Sequence, residues 1–589
     1  MDNSENFYKK QLSEHTSKVS QLKKRLLALS TIRLIIFSTT IFGIYLSYSY
    51  WQVAVVIAII GIGLFLYVLS IYTDCKIERD LNKRLVKINE EELEIAKGIF
   101  KERPQGLEFQ NPNHYYSLDI DLFGKGSFFQ FINRTTIKEG TERLVDYLLS
   151  NNTKGIKERQ EATMELASHP KWYQKYAAIA QGVEVEYSAK DVISWLKNHK
   201  PFLNKQLLLV TSLFSVASVI IVGLAVTQLI PIDWLGYWLL IGLGITGLYL
   251  KKINLLANNT SKVKDTFRQY ALLLKHIEDV EFSSELLKHQ QQKIKSNTVK
   301  ASQLFSKFSK ALDALDNRNN LLSAILGNGY FLWDIRQSYY IERWIQDNNH
   351  KVEDWFEVVT FFDAYNSLGN YAFNHADYVY PEIISSSETI QASGLGHALL
   401  EKSKRVNSDL EINTKEFFIT TGANMAGKST FLRTVGLHIV MANVGLPVCA
   451  ASSRYKPIKL VTSMRTTDSL DDDSSYFFSE LTRLKFIVDQ LENDTYFIIL
   501  DEILKGTNST DKAIGSKKFV EKLVNLNATG IIATHDLSLT EIESELEPVK
   551  NYYFDAQIID DELHFDYKLK KGVCQNMNAS FLLKKMDIV

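Results

Sequence analysis

The chain has 589 residues with 67 Lys and Arg against 68 Asp and Glu, a formal net charge of -1. That balance excludes a whole-chain basic field for a polyanion, so any nucleic-acid surface has to be a local patch. A composition 46% hydrophobic and 23% charged, with nine prolines, excludes a disordered or linker-rich chain. The scattered Cys75, Cys449 and Cys574 exclude a disulfide framework or zinc ribbon and fit a reducing compartment.

Residues 1–33 read as a basic, cytoplasmic amino-terminal segment. From Leu34 to Tyr72 there is no charged residue. At 1.5 Å per residue and a hydrocarbon core of ~30 Å, this stretch divides into two spans, 34–49 and 53–72. The aromatic turn Tyr48 to Gln52 suits a membrane-water interface. A second pair follows at Leu207 to Ile230 and Trp234 to Leu250, broken by Pro231-Ile232-Asp233. Two transmembrane helical hairpins, 34–72 and 207–250, are therefore expected. For the second, a buried helical pair in a soluble core is the bland alternative.

Lys and Arg are retained on the cytoplasmic side of membrane spans. Lys23, Lys24, Arg25 and Arg33 precede the first pair, and Lys76, Arg79, Lys83 and Arg84 follow it. Lys197, Lys200 and Lys205 precede the second, with Lys251 and Lys252 after it, and both turns lack Lys and Arg. The expectation is a multi-pass protein of the inner (cytoplasmic) membrane with its large polar segments in the cytoplasm.

Those segments are 76–203, helical with an irregular stretch at 104–127, then 251–395, with long helical levers from Ser261 to Tyr378, and 396–589. Between Leu286 and Leu312 lie Lys288, Lys293, Lys295, Lys300, Lys307 and Lys310 and no acidic residue. Such a run either tracks a phosphate backbone or is a solvated helix face. From Ile412 short β-rich runs alternate with helices, the pattern of a parallel α/β sheet.

Directly after the run Phe417 to Thr421 stands Gly422-Ala-Asn-Met-Ala-Gly427-Lys428-Ser429-Thr430, which satisfies G-x-x-x-x-G-K-[ST]. Gly422 and Gly427 let backbone N–H groups face phosphates, Lys428 reaches the β and γ phosphates, and Ser429 holds magnesium. A second apolar run, Tyr496 to Leu500, ends in Asp501-Glu502. Asp501 is placed as a magnesium ligand and Glu502 as the base that polarises attacking water. A third, Gly530 to Ala533, ends in Thr534-His535-Asp536, which puts His535 where a γ-phosphate sensor belongs. The residues point to an ATP-binding, ATP-hydrolysing domain using ATP and Mg2+.

Thr420 to Thr430, with Asn424-Met425 inside the loop, resembles the phosphate loop of the MutS family of DNA mismatch repair ATPases. Four further blocks are similar in the family's order: Gly445 to Ala450, Ser475 to Glu480, Asp501 to Asp511 and Ala533 to Asp536. Weaker likeness extends upstream to Leu122–Thr136, Phe361–Leu368 and Gly396-His397. The resemblance implies an ABC-type P-loop ATPase domain on a long-helix MutS-like core and lever domain, assembled as a head-to-head homodimer. Asn424, Met425 and Thr430 join the nucleotide cradle, Ser475 completes the site of the opposite protomer, and Gly506 to Asp511 forms the cross-dimer loop. Double-stranded DNA is the implied partner.

The chain also departs from the family. The membrane hairpin occupies the place of the mismatch-reading domain, Asp471 to Ser474 replaces glycine and basic residues before Ser475, and Ala423, Ala426 and Leu504 replace Pro, Gly and Gly. The leading reading is a membrane-anchored MutS-like ATPase that binds DNA and couples ATP binding and hydrolysis to dimer closure in a mismatch repair-like role. The alternative is the same engine acting on a protein or membrane partner without DNA.

Overall fold

The computed structural model describes residues 2–183, 185, 187–295, 299–423, 425–465, 476–559 and 562–575. The chain opens with two helices, α1 (Asp2–Leu46) and α2 (Trp51–Ala96). Five shorter ones follow, α3 (Phe128–Ile132), α4 (Lys138–Leu149), α5 (Ile156–Ala167), α6 (Pro170–Ala180) and α7 (Ala189–Asn198). A second long pair is α8 (Lys205–Val226) and α9 (Asp233–Glu278), then α10 (Glu285–Gln292), α11 (Ala301–Asp316), α12 (Leu321–Phe331) and α13 (Trp333–Asn374).

α1, α2, α8 and α9 are long and apolar enough to cross a membrane. Leu34, Phe42, Ile59, Leu66, Val219 and Leu240 leave their apolar runs exposed. α1, α2 and α9 do not stop where those runs end. α2 continues to Ala96 and buries Cys75 against Leu22 and Leu26 of α1. α9 continues to Glu278 and buries Ile253, Leu256, Phe267, Leu273 and Ile277. The limits read at 72/76 and 250/251 mark a change of environment within continuous helices, because no Gly or Pro interrupts 73–96 or 248–278. The far end of α1 docks on the end of α13, where the Tyr8 hydroxyl donates to Asn374 Oδ1 at 2.7 Å.

The expected lever from Ser261 to Tyr378 is broken at 279–284, after Gln292, before Ala301 and at 317–320. Its last helix, α13, is tied to the core by Asp363, which accepts from Thr136 N (2.9 Å), Thr136 Oγ1 (2.7 Å) and Ile137 N (3.1 Å). Burial outweighs these donors and raises the Asp363 carboxyl to about 7. Since folding then holds a proton that the unfolded chain releases near pH ~3.9, this group's stabilising contribution falls as pH rises through the window up to about 7. Asp363→Asn is expected to flatten that part of the Tm-against-pH curve, measured by thermal melts between pH 4.5 and 8.

The carboxy-terminal unit holds two sheets. A small one, in the order β1-β5-β2-β3, contains β1 (Glu382–Ile383), β2 (Glu388–Leu395), β3 (Ser408–Asn413) and β5 (Ser452–Tyr455). Because β2 pairs with both β3 and β5, this unit reaches back before residue 396, the boundary read from the sequence. The larger sheet runs β10-β9-β4-β8-β7-β6, built from β4 (Phe417–Gly422), β6 (Lys459–Ser463), β7 (Tyr496–Asp501), β8 (Thr529–Ala533), β9 (Val549–Ile559) and β10 (Glu562–Lys571). Its pairings are parallel except β9 with β10. β4 and β8 are buried at every position and β7 up to Leu500, as expected for parallel strands covered on both faces. The helices of this unit are α14 (Lys428–Val444), α15 (Tyr476–Leu491), α16 (Ser509–Asn525) and α17 (Ile542–Glu545). In this register Thr420 and Asp501 both stand opposite Ala533. The carboxyl ends of β4, β7 and β8 thus form one edge, where open α/β sheets bind ligands.

Candidate nucleotide site

At the end of β4 the chain turns through Gly422, where a Cβ would come within 2.8 Å of the Phe554 carbonyl oxygen. It re-enters helix through Gly427, whose φ of 99° is left-handed and costs little only for glycine. α14 starts at the next residue, so its unpaired first N–H groups and positive dipole end face the loop. Lys428 lies inside that curve: its Nζ donates to the carbonyls of Gly422 (2.7 Å) and Ala423 (3.0 Å) and is 3.2 Å from His535 Nε2. Burial lowers the Lys428 pKa, against the pull of Asp501 and Glu502.

Ser429 Oγ donates to Asp501 Oδ2 at 2.7 Å, and burial raises the Asp501 carboxyl. This pair of oxygen donors fits a small hard cation such as magnesium. Glu502, in a left-handed conformation (φ 49°), places Oε1 2.8 Å from His535 Nε2 and Oε2 3.6 Å from Lys505 Nζ. The hydrogen bond to His535 chiefly lowers its carboxyl to about 2, against desolvation and with help from Lys505. Lys428, Ser429, Asp501, Glu502 and His535, read from three separate sequence blocks, therefore meet at one sheet edge.

A family model described as MutS domain V matches residues 418–584. Over this region the chain is similar to MutS proteins. Human "MutS protein homolog 4" is 31% identical over 246 residues, covering 40% of this chain and 26% of that protein. The "DNA mismatch repair protein MutS" of Clostridium botulinum (strain Hall) is 29% identical over 260 residues, 42% of this chain and 28% of its own length. Mouse "MutS protein homolog 4" is 29% identical over 246 residues, 40% of this chain and 25% of that protein. The chain thus spans about a quarter of the length of these curated relatives.

Within the MutS region, Met425 is exposed and left-handed (φ 68°), and Thr430 lies in the first turn of α14. Asn424, Ser475 and the run Asp471 to Ser474 lie outside the described residues. The expected cross-dimer loop leads into α16, capped by Asn508, whose Oδ1 accepts from Asp511 N at 2.9 Å. Of the basic run upstream, Lys288 lies in α10, Lys307 and Lys310 lie in α11, and Lys293, Lys295 and Lys300 lie between the two helices. In it Lys288 pairs with Glu285 (3.2 Å), Lys293 with Glu357 (3.7 Å) and Lys300 with Asp279 (3.8 Å). Acids brought in by folding dilute the charge that sequence distance had isolated.

Two features escaped the sequence reading. The buried Glu480 carboxylate accepts from Leu504 N (2.6 Å) and Lys505 N (3.0 Å), which fixes the turn behind Glu502. In the sequence it was only the last letter of a matched block. Glu480→Ala leaves those donors without this acceptor, a loss of about 1–3 kcal/mol. The expected result is a several-fold fall in kcat with nucleotide affinity nearly unchanged, read in steady-state assays.

The other feature is a cavity of about 280 Å³ beside Gly427, lined by His397, Phe431, Phe554 and Tyr567 among others. Tyr567 has φ 54° and sits where the β9–β10 register shifts between Phe565 and Leu569. Burial lowers His397 to about 4, so it is neutral at pH 7. Strand pairing alone brings Tyr567 here; only the Gly396-His397 likeness hinted at this corner. A nucleotide base entering this cavity would stack on Tyr567, so Tyr567→Ala is expected to weaken ATP binding about tenfold, the order of one lost stacking contact, with kcat little changed in a titration of turnover against ATP.

Proposed function

We propose that this chain is a membrane-anchored P-loop ATPase of MutS type, whose nucleotide cycle closes and opens a homodimer and works through its long helices. The convergence of Lys428, the Ser429–Asp501 pair and the Glu502–His535 pair on one sheet edge carries this reading. α1, α2, α8 and α9 are its four membrane spans, with the ATPase unit in the cytoplasm. Their apolar runs are exposed, and Lys and Arg flank each pair but not its turn.

In the reaction, Lys428 leaves the Gly422 and Ala423 carbonyls for the β and γ phosphates of ATP, and the N–H groups at the start of α14 hold the phosphate chain. Ser429 and Asp501 would hold magnesium, which when bound would neutralise phosphate charge. Glu502 orients water and takes its proton. A carboxylate lowered to about 2 by His535 is a weak base. A γ-phosphate that draws His535 to itself frees Glu502 and restores its basicity, so the His535–Glu502 contact acts as a resting latch. In the dimer, Ser475 of each protomer reaches the other's nucleotide.

Duplex DNA is the partner suggested by the names of the bacterial relatives, giving a mismatch repair-like role at the membrane. The ion pairs of Lys288, Lys293 and Lys300 favour a second reading, the same engine acting on a protein or membrane partner. ATPase turnover of the full chain in lipid nanodiscs, with and without duplex DNA across a salt series, separates them. Stimulation that fades with salt supports DNA; turnover indifferent to DNA at low salt rejects it.

A further inference from the structure

We propose that Leu321–Phe331 is a half-span membrane element: α12 enters the bilayer beside α8 and α9 without crossing it, and lipid acyl chains cover its outer face. The inference rests on reading α8 and α9 as spans.

From Asn319 to Trp333 the sequence carries no charge. Helix α12 has eleven residues, ~16 Å of rise, or roughly half of a ~30 Å hydrocarbon core. It meets α9 at Gly329 and Gly242, packed so closely that a Cβ on Gly242 would collide with the Gly329 carbonyl and one on Gly329 with the Leu239 side chain. Gly242 is at the centre of the apolar run 234–250, so the end of α12 lies at mid-span depth.

The polar groups at that end are satisfied within the protein, as a lipid surrounding demands. Ser218 Oγ, in the apolar helix α8, donates to the Tyr330 carbonyl (2.6 Å), and Ser215 Oγ to that of Phe331 (3.4 Å). Trp238 Nε1 donates to Ser218 Oγ (2.8 Å), and the Tyr330 hydroxyl to the Leu235 carbonyl (3.1 Å). At the other end, Asn320 Oδ1 accepts from Leu322 N and Ser323 N. The flanking charges, Arg318 and Asp334, pair with each other at 3.2 Å.

The outer face is apolar and bare: Leu322 is 71% and Leu326 50% exposed. The helices it packs on carry the same kind of exposed apolar side chain, Leu213 and Val219 of α8 and Tyr237 and Leu240 of α9. Its place on these span helices selects acyl chains as the occupant. Since α13 starts at Trp333 and runs to Asn374, the lever has its origin in the bilayer.

The test labels the full chain with an environment-sensitive fluorophore at Leu326→Cys, Val219→Cys and Lys288→Cys, in phosphatidylcholine vesicles carrying acyl-chain nitroxides. The native cysteines are buried, and Leu322→Cys serves if Leu326→Cys does not assemble. The expected result is nitroxide quenching of the 326 and 219 labels with protection from aqueous iodide, and the reverse at 288. Iodide quenching at 326 with nitroxide quenching at 219 overturns the half-span element while the spans stand. Protection of 326 from both quenchers puts a protein surface or second copy there and also overturns it. Loss of nitroxide quenching at 219 removes the membrane reading itself, and this inference with it.

Discussion

Glu502→Gln will retain Mg-ATP but hydrolyse it at least about 100-fold more slowly than the parent, the scale of a lost general base. The amide is nearly isosteric and still accepts from His535, so the loop fixed by Glu480 should keep its shape. What is lost is the ability to take a proton from water. In the proposed cycle closure needs bound ATP and opening needs its cleavage, so the same variant should accumulate as a closed dimer. Single-turnover hydrolysis, compared with filter binding of labelled ATP, checks both halves. Turnover equal to the parent would remove Glu502 from the role of base and leave His535 without a carboxylate to restrain.

Lys428→Met should have the largest effect on binding. The ammonium spans the carbonyls of Gly422 and Ala423 and is the cation nearest the start of α14. Losing a charge-assisted contact to phosphate costs about 3 kcal/mol, roughly 100-fold in Kd. Turnover should fall with it. The variant also leaves two carbonyls without their donor, so a melting curve has to accompany the titration. A folded variant with parental ATP affinity would contradict the cradle assigned here.

Much of this site was legible before folding because parallel strands covered on both faces read as unbroken apolar runs. Phe417 to Thr421, Tyr496 to Leu500 and Gly530 to Ala533 announced β4, β7 and β8, and the residues that follow them, Gly422, Asp501 and Thr534, fell at the same sheet edge. The apolar helices were legible as charge-free stretches. What was missed depends on contacts distant in sequence. Tyr567 reaches Gly427 only through the antiparallel pairing of β10 with β9, and Glu480 matters only through the Leu504 and Lys505 amides. α12 was hidden by length, since an uncharged, mostly apolar helix of eleven residues fits a buried core as well as a membrane element. The basic run between Leu286 and Leu312 looked purer than it is, because Glu357 and Asp279 join it only in three dimensions.

The most direct measurement is the mass and nucleotide content of Glu502→Gln, purified in detergent and followed by light scattering with and without Mg-ATP. The account predicts a shift from one copy to two on adding Mg-ATP, with one ATP retained per copy. A particle that keeps its mass and carries no nucleotide would contradict it.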